Sequence, residues 1–100
     1  MTTELTHAAF SRNLNSEFSL KDEKLGQNLT LINVSERKFS TPYEQFSIMF
    51  CGGTEKTLEQ GSFDLDHPEM GSFEIFLVPV KLNEQGMQYQ AVFNRFTEGE

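Results

Sequence analysis

The chain has one cysteine, two histidines, eight basic residues and no long apolar run in its 100 residues. Each shortage removes a class of function. A single cysteine, Cys51, rules out an intramolecular disulfide. It ends the largely apolar stretch Ser47-Ile48-Met49-Phe50-Cys51 and reads as a buried, inert thiol, since a nucleophilic one wants a histidine partner and an electropositive setting. The basic residues are scattered, with Arg37-Lys38 the only adjacent pair, against a formal charge of −7. Nucleic-acid binding draws on clustered cations that release counterions from phosphates, so that class is excluded. Anionic lipid would likewise be repelled. The strongest apolar run, around Phe76, Leu77 and Val78, is too short to cross a bilayer as a helix, so no membrane insertion is expected. The opening MTTELTHAAF lacks the basic start and apolar core of a signal peptide. The expected location is the cytoplasm, or export within a larger particle. Asn28-Leu29-Thr30 and Asn33-Val34-Ser35 fit the glycosylation pattern but carry no expectation of modification in that setting.

Catalytic and metal motifs are also scarce. A metal site wants roughly three or four converging ligands, and His7 and His67 stand far apart with no zinc spacing around them. Asp64, Asp66 and Glu69 do not follow the spacing of a calcium loop. There is no Gly-x-Ser-x-Gly elbow, and Gly52-Gly53-Thr54-Glu55-Lys56 lacks the spacing of a phosphate loop. Asp64 and Asp66 could serve as paired carboxylates, but alternate carboxylates on a strand are more simply a solvated face. The expectation is a non-enzyme with no metal and no cofactor.

What the chain does have is alternation. A short helix is expected over 5–14, with Thr6 as its cap and Leu5, Phe10 and Leu14 on one side. From 17 to 96 the apolar period becomes two, as β-strands require. Phe18 and Leu20 alternate with polar neighbours, Leu29 to Val34 is rich in apolar and β-branched residues, and Phe46, Ile48 and Phe50 mark a strand over 43–51. Phe63 and Leu65 mark another, Phe73 to Val80 the strongest, and Met87 to Phe96 the last. Glu36–Pro42 and Glu55–Gln60 read as loops, Asn83–Gly86 as a hairpin turn, and 97–100 as a frayed tail. About six strands joined by short turns favour antiparallel pairing. The expected fold is a single mainly β domain: a small antiparallel barrel or two-sheet sandwich with the helix plugging one end. In the strongest strand Phe73, Ile75 and Leu77 point one way and Phe76, Val78 and Val80 the other. Strands apolar on both faces are covered on both, so one face should meet the core and the other the helix, a loop or another chain. Phe73, Ile75, Phe76, Val78 and Val80 are therefore the candidate protein-contact residues.

The stretch GSFDLDHPEMGSFEIFLVPV carries the one tempting histidine. Pro68 extends the backbone of His67 and suits the first corner of a β-turn, and Gly71 can take a positive φ at the exit. Asp66 or His67 can hydrogen-bond the backbone exposed at such a corner. His67, Pro68, Glu69 and Gly71 are read as a structural turn. Arg95 is expected to pair with Glu74 or Asp64 across the sheet, which would fix register more than stability.

Four blocks of the chain look like a known family: Phe10 through Gly26-Gln27; Phe46-Ser47-Ile48-Met49-Phe50; Gln60 through Val80 with its His-Pro-Glu-Met-Gly and Phe-Leu-Val-Pro elements; and Tyr89-Gln90-Ala91-Val92-Phe93-Asn94-Arg95. Across most of its length the chain resembles an uncharacterised family of small bacterial domains of unknown function. The resemblance implies a gene setting beside phage-tail-collar-type fibre proteins, and hence a role in assembling or decorating a tail-like or surface fibre. It brings no catalytic residues with it. The expected function is a non-catalytic binding or assembly module with a protein partner, in its finer form an accessory or chaperone of a phage-tail-like or surface fibre. The alternatives are a small enzyme or a small-ligand barrel using His67 and nearby carboxylates.

Overall fold

The computed structural model describes residues 7–22, 27–35, 38–40, 43–53 and 57–96. Helix α1 spans His7–Arg12, and seven strands follow: β1 Glu17–Leu20, β2 Asn28–Val34, β3 Lys38–Ser40, β4 Tyr43–Cys51, β5 Gly61–His67, β6 Gly71–Asn83 and β7 Gly86–Phe96. All pairings are antiparallel, in the order β2-β1-β5-β6-β7-β4-β3, with a further β2–β4 pairing. That last pairing closes six strands into a barrel, which settles barrel against sandwich. β4 makes closure possible because it is long. One edge runs along β7 from Tyr43 to Cys51, while the other meets β3 at Tyr43–Gln45 and β2 at Ile48–Cys51.

Two expectations about the strands need correction. Lys38–Ser40, read as part of a loop, adds a seventh strand outside the ring. A three-residue edge hairpin has too few positions to show a period. β6 also runs past Val80 to Asn83, through a bulge between Pro79 and Lys81 that lets the strand bend around the barrel.

The alternating apolar residues fill the interior. Phe18, Leu29, Leu31, Ile48, Phe50, Leu65, Leu77 and Tyr89 are fully buried, as expected of a six-stranded barrel too narrow to leave a lumen. Phe18 and Phe50 meet edge to face at 5.2 Å, a geometry worth about 0.5–1.5 kcal/mol beyond the area buried. A six-residue helix cannot persist alone in water, so α1 owes its existence to the end it covers. Its Phe10 is completely buried, with ring centroids 6.2, 6.1 and 5.3 Å from those of Phe46, Phe73 and Phe93. β6 pairs with β5 over Gly71–Leu77 and with β7 only from Val78 onward, and Phe10 packs against the two phenylalanines that flank this change of partner.

The helix stops at Arg12, short of the expected 14. The Asn13 side chain donates to the Ala9 carbonyl at 2.8 Å, and Asn15 takes a φ of +68° that aims its N–H at the Leu31 carbonyl, 2.7 Å away. Leu14 thus falls in a turn and is 41% exposed, so it is not part of the docking face. Leu5, Thr6 and the tail 97–100 lie outside the described residues. Among the described residues, no helix is long and apolar enough to cross a membrane.

Candidate functional site

Two places deserve a chemical reading: the corner at His67 and the outer surface of β6 and β7. The corner joins β5 to β6, with His67 opposite Gly71 at the end of the ladder. Along β5, Phe63, Leu65 and His67 share the inward face, so the imidazole continues a row of core side chains and is only 6% exposed. It lies over the Phe18 ring at 4.3 Å between centroids.

Both ring nitrogens are engaged. The backbone N–H groups of Glu69 and Met70 donate to Nδ1 at 3.1 and 3.2 Å. Nδ1 is therefore the acceptor and Nε2 carries the hydrogen. Nε2 lies 2.9 Å from Oγ of Ser16, which donates in turn to the Asn13 carbonyl. The chain of bonds runs from the β5–β6 turn through the imidazole to the segment between α1 and β1. It satisfies groups that would otherwise be buried without partners, each costing about 1–3 kcal/mol. A general base needs a free nitrogen within reach of substrate; this imidazole has neither a free nitrogen nor an open approach. Pro68, Glu69 and Gly71 are exposed around it, and Gly71 has a φ of +75°.

The carboxylates of the same hairpin point the other way. Asp64, Asp66 and Glu74 are all exposed on the outer surface, with Asp64 directly opposite Glu74 and Asp66 accepting a 2.9 Å hydrogen bond from Ser72. They do not converge with His67. Among the described residues, no group of three His, Cys, Asp or Glu side chains is placed to hold a metal ion. Arg95 and Glu74 are not ladder partners: Arg95 stands opposite Glu44, and the Arg95 side chain lies outside the described residues. Cys51 is half-buried, not buried as expected, because it ends β4 where the barrel rim opens; its Sγ lies 3.7 Å from the carbonyls of Gly52 and Gln85.

The candidate contact residues separate by face. Ile75 is 5% exposed and Phe73 half-buried, both against the core, so neither belongs to the outer surface. Phe76 and Val80 are outward, 51% and 46% exposed, with half-buried Val78 between them. The pairing of Val78 with Gln90 places Val92 on the same outer surface, diagonal to Val78, and Val92 is 61% exposed. The strand pattern alone did not single out Val92, although its even position in β7, opposite in parity to buried Tyr89 and Ala91, carried the signal. Between β2 and β4 a dent of about 50 Å³, lined by Asn33, Ser35, Ser47, Ile48 and Met49, has room for a few waters.

The chain matches, over residues 5–93, the family model described as domain of unknown function DUF6916. It belongs to that family. The DUF6916 match takes in α1, six complete strands and β7 as far as Phe93, so the family unit is the whole closed barrel. Neither a curated protein nor a solved structure matches the chain.

Proposed function

We propose that this barrel is a non-catalytic protein-binding or assembly module whose contact surface is the outer face of β6 and β7. The observation that carries the reading is the cluster of Phe76, Val80 and Val92, large apolar side chains left in water around Val78 on two adjacent strands. Scattered exposed apolar residues are ordinary, but a contiguous group on a rigid sheet marks an interaction surface. Phe76, Val80 and Val92 are each about half exposed, so about half of the ~1.5–3 kcal/mol that full burial of such a side chain yields remains available to a partner. The engaged state of His67 and the filled interior support a binding role over an enzyme or a small-ligand barrel. The resemblance noted in the sequence supplies the finer form of the proposal, an accessory or chaperone of a phage-tail-like or surface fibre, with a tail-collar-type fibre protein as partner.

The test is a paired capture experiment. Wild type and the double variant Phe76→Ser/Val92→Ser are used as baits, co-expressed with a tail-collar-type fibre protein and, separately, in a bacterial lysate. The expected result is recovery of a defined partner by wild type and its loss from the variant, at unchanged melting temperature. Equal recovery by both baits removes the contact surface from the proposal. Recovery of a partner other than the fibre protein keeps the module and discards the fibre role.

A further inference from the structure

We infer that the partner segment that covers this face is cationic as well as apolar: a stretch of another protein that sets lysine or arginine beside hydrophobic side chains. The inference rests on the proposed binding role and specifies the chemistry of its occupant. Its basis is the acidic row that borders the apolar cluster at its Phe76 end; exposed Lys81, opposite Gln88, stands at the far end beyond Val80. Along the outer side of β5 and β6, Ser62 stands opposite Phe76, Asp64 opposite Glu74, and Asp66 opposite Ser72. One strand step of two residues is about 6.6 Å, so the Asp64–Glu74 pair begins within a single side-chain length of Phe76. All three carboxylates are exposed.

Two like charges directly opposite each other on a sheet are destabilising, and an internal cation would relieve them. The described neighbour of this row is Lys21, whose backbone N–H donates to the Asp64 carbonyl at 3.0 Å and whose side chain is exposed. Among the described residues, one lysine stands against these three carboxylates. Asp66 has its Ser72 hydroxyl, whereas Asp64 and Glu74 face solvent without such a bond among the described residues. A lysine or arginine from a partner would sit between them while its apolar neighbours, one or two strand steps along, cover Phe76, Val78 and Val92. A second copy of this chain is a poor occupant: at a formal charge of −7 each, two copies repel one another. Complementary charge also steers encounter and rejects wrong partners.

The experiment pans a random peptide display library on the full chain, with counter-selection on Phe76→Ser/Val92→Ser. Enriched peptides are then measured by fluorescence polarisation on wild type and on Asp64→Asn/Glu74→Gln. The expected result is enrichment of peptides combining lysine or arginine with apolar residues. Their affinity should fall about ten-fold or more in either double variant and weaken with added salt. Circular dichroism confirms that the variants keep their fold. Peptides that lack cations and ignore Asp64→Asn/Glu74→Gln, yet still need Phe76 and Val92, overturn the cationic partner and leave the binding face standing. No enrichment over the counter-selection overturns both. Concentration-dependent dimerisation by light scattering, abolished by Phe76→Ser/Val92→Ser, makes a second copy the occupant and overturns the inference.

Discussion

At one end of β6 the chain reverses through His67–Gly71, and at the other through Asn83–Gly86. Each turn leaves on a glycine of positive φ, +75° at Gly71 and +143° at Gly86. The surroundings of the two glycines differ completely. A Cβ built on Gly71 meets nothing within 4 Å, while one on Gly86 lies 1.9 Å from the Gly52 carbonyl oxygen. The first turn is held from inside by a side chain, with the imidazole of His67 accepting the N–H groups of Glu69 and Met70. The second is held by backbone pressed on backbone, where the end of β4 closes against the β6–β7 hairpin and Gly52 donates to the Met87 carbonyl at 2.8 Å. A glycine that supplies a dihedral angle and a glycine that supplies room look identical in a sequence. They should not respond alike to substitution.

The largest effect is expected at the backbone-packed end. Gly86→Ala adds both a forbidden φ and a clash with main-chain atoms that cannot rotate away, so the loss should exceed about 3 kcal/mol, beyond the ordinary range for single substitutions. Urea unfolding of the purified variant checks it, and a loss near 1 kcal/mol would mean that the two turns are alike after all. Next comes His67→Ala, which orphans two backbone donors and opens a cavity over Phe18, at a cost of about 2–3 kcal/mol. His67→Asn should recover part of that loss, because its side-chain oxygen can accept a turn N–H. An asparagine variant as unstable as the alanine one would show that packing, not the hydrogen bonds, holds the corner. The smallest effect is Gly71→Ala, where strain alone should cost about 1 kcal/mol. If it matches Gly86→Ala, the open space around Gly71 is misplaced.

The sequence was legible where a period existed to read. Phe46, Ile48 and Phe50 or Phe63 and Leu65 declare their strand and their inward face because burial on one side demands alternation. It was legible at the His67 corner too, since proline fixes φ and glycine permits a positive one. It was silent at Lys38–Ser40, which is too short for a pattern, and misleading at Leu14, whose helical spacing runs past the point where Asn13 and Asn15 end the helix. In β6 it showed that both faces are apolar but not which faces in. That choice depends on the ladder with β5, in which Phe63, Leu65 and His67 pick the inner side.

By itself the chain determined that it would be an antiparallel β domain with a capping helix and tight turns, because those follow from neighbours within a few residues. Tertiary structure alone decided that β2 and β4 close the sheet into a barrel. It also decided that His67 would be consumed within the fold, and that Phe76 would border the Asp64–Glu74 pair with Val92 on the same outer surface. Each of these depends on which distant strands lie side by side, and register between strands is set by the whole packed core at once.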